Sequence, residues 1–197
     1  MATRVIGGAM RCGKTTQARL ICTDDLILIS SDMVRKNARL QLVKDVRHPL
    51  FAWEEVRVLK GEAWSKEHRE RAQELTDIFI NESRSLEPYI RKRISESTGD
   101  LLVEGSHILP KFALEIADRA HIVYVVDSSQ DQYVRIAKAQ NKPESDFHYV
   151  EAWSHFNRAF GEYIQKQCKL YGIRCYDIAD LGFEKTMSTI ATTLARK

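Results

Sequence analysis

The sequence predicts an α/β fold of three layers, a five-stranded parallel sheet between two layers of helices, and three observations carry that expectation. Apolar runs at 3–7, 26–29, 101–103, 121–126 and 173–178 show no alternation of polar and apolar residues, the pattern of strands buried on both faces of a parallel sheet. Helical stretches separate these runs, so right-handed crossovers join parallel neighbours. The third observation is Gly8-Ala9-Met10-Arg11-Cys12-Gly13-Lys14-Thr15, which follows Val5-Ile6 directly and fits the phosphate-binding pattern G-x-x-x-x-G-K-S/T without a mismatch.

Taken in order, residues 3–7 make the first strand and 14–22 the helix that leaves the loop. Residues 26–29 form a second strand ending at Ser30, Ser31 and Asp32. Asp32 thus stands at the carboxyl end of the sheet, where open α/β sheets bind ligands, and 33–42 follow as helix. Residues 43–66, with His48, Pro49, Phe51, Trp53 and Trp64 among mixed charges, read equally as a substrate-binding insertion or as a packed irregular loop. Leu75, Ile78, Phe79, Leu86, Ile90 and Ile94 recur at helical spacing, which predicts a helix over 67–98 that Pro88 kinks or splits and Gly99 closes. The strand 101–103 runs into Glu104 and Gly105, a short helix covers 110–120, and the strand 121–126 ends at Asp127. Helix is expected over 128–140, a polar stretch over 141–146, and a long helix over 148–171. The stripe Trp153, Phe156, Phe160, Tyr163 and Ile164 of that helix reads as core, and Gly172 ends it. The last strand spans 173–178 and the last helix 184–197, with Met187, Ile190, Ala191 and Leu194 on one face.

A chain of 197 residues suits one domain with a sizeable core, carrying a helical insertion over 43–98 and a candidate lid over 138–150. The net charge of +3 fits a protein that handles phosphates and falls short of the basic footprint that would itself argue for nucleic acid. Cys12, Cys22, Cys168 and Cys175 show no metal-ligand spacing, and no signal peptide or long apolar run appears. Free thiols, a cytoplasmic location and no membrane contact are the expectation.

Each residue type in the loop has a physical task. Gly8 and Gly13 let the backbone of Gly8, Ala9, Met10, Arg11, Cys12 and Gly13 fold into a nest of N–H groups, to which the helix opening at Lys14 adds its positive dipole. Lys14 reaches the β- and γ-phosphates, Thr15 offers its hydroxyl to Mg2+, and Thr16 completes the cradle. Phosphoryl transfer also needs a group that positions or deprotonates the acceptor and positive charge over the transition state. Asp32, at a strand end, could serve as base or as a helix N-cap, and the two roles can coexist. Arg35, one helical turn on, can hold an anionic group of the acceptor. Glu104, followed by Gly105 that permits close approach, can bind Mg2+ or the acceptor; Asp127 is a weaker metal candidate of the same kind. His107 either lines the cleft or is polar surface. Arg135 and Arg158, flanking the polar stretch, are the candidates for stabilising the transferred charge, against the alternative that each is an ordinary surface arginine. Cys12, between Arg11 and Lys14 near a helix N-terminus, is expected to ionise readily and be reactive, unless it points into the core as an apolar filler.

Val5-Ile6-Gly7-Gly8 and the loop through Thr16, Ser31-Asp32-Met33-Val34-Arg35, and Val103-Glu104-Gly105-Ser106-His107-Ile108-Leu109-Pro110 resemble the corresponding motifs of 2-phosphoglycerate kinases and their P-loop kinase relatives. That resemblance covers roughly residues 3–110, with Glu-Gly-x-His its most specific part. It implies the P-loop NTPase fold of the adenylate-kinase-like group, ATP with Mg2+, and transfer to a hydroxyl of a small, often phosphorylated acceptor. The pairing of Asp32 with Arg35 is also similar to polynucleotide kinases, in which the matching aspartate is the base. Arg11-Cys12 replaces the small residues usual in those families, and 43–66 matches neither.

The resulting expectation is an ATP-dependent kinase acting on a small anionic metabolite. One rival is a kinase of polynucleotide 5′-hydroxyls, nucleosides or nucleotides; the other is a nucleotide-dependent regulatory binding protein without an acceptor, which would not need Asp32, Arg35 and a lid together.

Overall fold

Five strands, β1 (Thr3–Gly8), β2 (Leu26–Ser30), β3 (Asp100–Glu104), β4 (Ile122–Val126) and β5 (Arg174–Asp177), form one parallel sheet in the order β2-β3-β1-β4-β5 in the computed structural model. The structure describes residues 2–23, 25–42, 48–52, 69–141, 143 and 147–195. The helices are α1 (Lys14–Ile21), α2 (Ser31–Gln41), α3 (Ala72–Ser95), α4 (Pro110–Ile116), α5 (Gln132–Ala139), α6 (Phe147–Tyr171), α7 (Ile178–Leu181) and α8 (Phe183–Ala195). They lie on both faces of the sheet: α1 packs with α8, while α3 packs with α2 and α6, and α6 with α4 and α5. This is the three-layer α/β fold that the alternation of apolar runs and helices predicts.

The central strands are fully buried, which is why their sequences are apolar on both sides: Leu101, Leu102 and Val103 in β3 and all five residues of β4 lie in the core. The register places functional residues. Glu104, at the end of β3, is paired with Ile6 of β1 and with Ser30 of β2, so it sits between the loop after β1 and the start of α2. In the helical layer, Phe79 of α3 meets Phe156 and Phe160 of α6 at ring-centroid distances of 5.6 and 4.9 Å, an aromatic core that backs the carboxyl end of β3.

Several element boundaries differ from expectation for local reasons. α3 runs unbroken through Pro88, because that residue is on the exposed face, where water can serve the carbonyl of Arg84 that a proline cannot. α5 begins only at Gln132, because the carboxylate of Asp127 draws Ser129 N–H into a turn at 3.1 Å. The fifth strand stops at Asp177, whose side chain accepts from Ala179 N–H at 3.0 Å and starts α7. Gly172, at φ 64°, ends α6, with Ile173 N–H donating to Cys168 O at 2.9 Å. Of the insertion at 43–98, residues 43–47 and 53–68 lie outside the described residues, as do Lys142 and 144–146 of the candidate lid. Between the first two gaps, Pro49–Phe51 forms a single 3-10 turn packed on α2 and α3.

Candidate active site

The loop that leaves β1 is shaped by backbone conformations open mainly to glycine. Gly8 has φ 128°, and a Cβ there would lie 1.9 Å from Val125 O of β4; Gly13 has φ 79°, and a Cβ there would strike the ring of Phe183. Arg11 takes φ 57° without being glycine. Two N–H groups are used by the protein itself, Ala9 N–H donating to Val125 O at 3.0 Å and Met10 N–H to Asn157 Oδ1 at 3.2 Å. Among the described residues, nothing takes up the N–H groups from Arg11 to Thr16, which form the rest of the loop and the first turn of α1. That turn has no side-chain cap and no acidic residue, so its positive end is uncompensated from within.

Lys14 is buried, and its ammonium donates to Ala9 O, closing the loop on itself. Burial pulls its pKa down, against the opposing fields of the Cys12 thiol, Glu104 and Asp32. Thr15 Oγ1 donates to Glu104 Oε2 at 3.1 Å. The other Glu104 oxygen is buried and has no hydrogen-bond partner among the described residues. A hard-oxygen pair of this kind fits Mg2+. No group of three or more acidic, histidine or cysteine side chains stands close enough to hold a metal by itself among the described residues, so a cation here would complete its shell with phosphate oxygens and water.

The loop, Asp32, the segment 104–106, Arg135 and Ile136 in the middle of α5, Gln140 just past its end, and Phe183 line one open cleft of about 490 Å3. Asp32 occupies the first turn of α2, two residues past its N-cap, Ser30, so it does not stand at the N-cap position. Its carboxylate is largely exposed to the cleft, and His107 Nδ1 lies 3.5 Å away, within ion-pair reach but outside hydrogen-bonding geometry. The polar Nδ1 edge of His107, aimed at the carboxylate from 3.5 Å, is the largest influence holding the Asp32 carboxyl below its usual pKa, with the charges of Lys14 and Arg35 adding to it. Burial against the ring of Phe79, 4.6 Å away, pushes His107 the other way, toward its neutral form. Asp32 is thus kept ionised at the cleft, where its exposed carboxylate can position or accept the proton of a hydroxyl.

Other sequence-derived residues are placed differently from the expectation. Asp127 is buried, ion-paired with Arg135 and hydrogen-bonded by Ser129 N–H and Oγ, so its oxygens are committed to holding the start of α5 and not to a metal. Arg135 lines the cleft but is anchored there by Asp127, with its guanidinium 5.7 Å from the ring centroid of Phe183. Arg158 lies outside the cleft, donating to Gln130 O at 3.3 Å and meeting His155 Nδ1 at 2.8 Å. Arg35 is ion-paired through Nε with Glu82, a fully buried carboxylate on α3. Gly105, whose backbone lines the cleft, also makes room for a neighbouring element: at φ 138°, a Cβ would sit 1.8 Å from Ser31 Oγ. Cys12 faces the core, fully buried, and desolvation pushes its thiol up to about 12. Its reactivity is quenched by the same burial that makes it a small apolar filler.

Sequence reasoning missed Asn157, Glu82 and Phe183. For Asn157 a signal exists, an amide within the apolar stripe of α6; for the other two, contact across more than forty residues leaves no local trace.

No protein-family model matches the chain, and no curated protein matches it in sequence. Among solved structures, the chain is similar to the tunicamycin resistance protein of Deinococcus radiodurans, with a TM-score of 0.51 and 15% identity over 100% of this chain and 96% of that one. At that identity the likeness concerns the fold. Among the described residues, no helix is long and apolar enough to cross a membrane.

Proposed function

We propose that this protein is a kinase that moves the γ-phosphoryl group of ATP onto a hydroxyl of a small acceptor. One observation carries the reading: the Thr15 hydroxyl and the Glu104 carboxylate, with its unpartnered buried oxygen, meet at the mouth of a loop rich in open N–H groups, and Asp32 faces the same cleft. Bound Mg2+ would supply charge neutralisation on the phosphates, held through Thr15 and Glu104. The N–H groups of Arg11 to Thr16 cradle the phosphates, and Lys14 exchanges its bond to Ala9 O for the γ-phosphate. Arg135, Ile136, Gln140 and Phe183 also line the cleft and would seat the nucleoside. Asp32 accepts the proton of the acceptor hydroxyl as its oxygen forms the new bond to phosphorus and the bond to the ADP oxygen breaks. Arg35, near enough to Asp32 and His107 to influence both, meets an anionic group of the acceptor.

An ATP-consumption screen tests the proposal, spanning phosphorylated acids, nucleosides and nucleotides, 5′-hydroxyl oligonucleotides and, on the strength of the structural neighbour's name, tunicamycin. A hit should lose roughly a hundredfold or more in turnover in Asp32→Asn, with ATP affinity nearly intact. ATP binding with no acceptor hit would favour a nucleotide-dependent binding protein, and an unimpaired Asp32→Asn variant would remove the base assignment.

A further inference from the structure

We infer that Asn157, far from the loop in sequence, is the positioning residue that gives the phosphate loop its binding shape. The inference rests on the nucleotide reading of that loop. Asn157 is fully buried on the apolar stripe of α6, between Phe156 and the turn that carries Phe160. Its amide grips one residue from both sides: Oδ1 accepts from Met10 N–H at 3.2 Å, and Nδ2 donates to Met10 O at 3.1 Å. The Cys12 thiol adds a weaker contact to the same carbonyl at 3.4 Å. A primary amide is well suited to this task, because it offers one donor and one acceptor side by side, here facing the N–H and C=O of one residue.

The place of the grip gives it a consequence. Met10 is followed by Arg11 in a left-handed conformation, which a non-glycine residue holds only when the surroundings impose it. Ala9 is tied to β4 through Val125 O, so the loop is fixed to the sheet at Ala9 and to α6 at Met10. On its far side, Gly13 rests against Phe183 and Met187 of α8. The loop is thereby held from three elements. With Met10 anchored, the chain must turn at Arg11, and the N–H groups from Arg11 onward are left for an anion. Without the grip, the part-buried Met10 N–H and C=O lose both partners at once, and nothing ties Met10 to α6 or imposes the left-handed turn at Arg11. The loop should then relax away from the shape that leaves its amides open.

Two measurements test this. In the wild-type protein without nucleotide, amide exchange at Met10 should be as slow as in the core of α6. Exchange there as fast as at an exposed loop amide overturns the inference, with or without any nucleotide chemistry. In Asn157→Leu, similar in size but unable to make either bond, affinity for Mg·ATP should fall tenfold or more, measured well below the melting transition. The KM for the acceptor should stay within twofold. Asn157→Asp keeps the bond to Met10 N–H but sets a carboxylate against Met10 O beneath an anion site, and should bind Mg·ATP more weakly still. A merely structural asparagine would lower the melting temperature and leave nucleotide affinity in the surviving folded protein unchanged, which also overturns the inference. Should Asn157→Leu fail to fold, Asn157→Ser carries the same comparison. Absence of nucleotide binding by the wild-type protein would end the kinase reading, and the grip would then be judged on the exchange of Met10 and its neighbours.

Discussion

The two sides of the cleft are built by different means. On the side proposed for the nucleotide, one contiguous run from Gly8 to Thr16 would supply most of the chemistry through its backbone. On the side proposed for the acceptor, Asp32 and Arg35 of α2, Glu82 of α3 and His107 after β3 come from three segments dozens of residues apart, and the chemistry would lie in side chains. A backbone device can largely be written in adjacent letters, since glycine placement sets most of the dihedrals it needs, Arg11 at φ 57° being the exception. A side-chain device exists only once helices have packed.

The largest effect that would break this contrast is Lys14→Ala. It should preserve the fold and lower phosphoryl transfer roughly a hundred- to a thousandfold, as for loss of one transition-state charge contact. Near-normal turnover with a normal circular dichroism spectrum would show that the nucleotide side does not depend on its motif.

Arg35→Ala examines the acceptor side, where removal of one partner exposes the field of buried Glu82. Stability should fall by about 2 kcal/mol, below the range for a fully buried pair because Arg35 borders solvent. Acceptor KM should rise more than ATP KM. Equal rises would place Arg35 with the nucleotide, and unchanged stability would mean that Glu82 is held by other groups.

A smaller effect comes from His107, whose folded-state pKa is depressed by burial. The unfolded chain therefore binds a proton on this histidine more readily than the folded one. Its stabilising effect is present above the ordinary histidine value of 6.5 and is lost as pH falls below it. The melting temperature should drop between pH 7 and pH 5, and His107→Phe, stacked on Phe79 in its place, should flatten that drop. His155, also depressed by burial, provides a residual slope in the variant. Identical slopes in both proteins would refute the assignment to His107.

The smallest effect distinguishes loop surface from loop interior. Cys12 should alkylate more slowly than the half-exposed Cys22, and ATP should alter its rate little. Rapid labelling of Cys12 that ATP blocks would return the thiol to the phosphate site.

By itself, the sequence determined the parallel α/β class, all five strands to within a residue or two, the loop, and the strand-end positions of Asp32 and Glu104. Burial on both faces forces unbroken apolar runs such as 101–103 and 122–126, and those are visible in one dimension. Only the tertiary structure decided which charges are spent inside the protein. Asp127 reads like Glu104 in sequence, both closing an apolar strand, but α5 brings Arg135 onto one while nothing among the described residues takes the free oxygen of the other. Arg35 reads as a free cation until Glu82 arrives from α3 and anchors it through Nε, and Asn157 reads as an odd polar letter in a core stripe until it meets Met10. The physical reason is common to all three: the environment of a side chain, and so its charge state and availability, is fixed by contacts that packing makes, eight residues apart for Asp127 and Arg135, 47 for Arg35 and Glu82 and 147 for Met10 and Asn157, and apolar patterning encodes none of them.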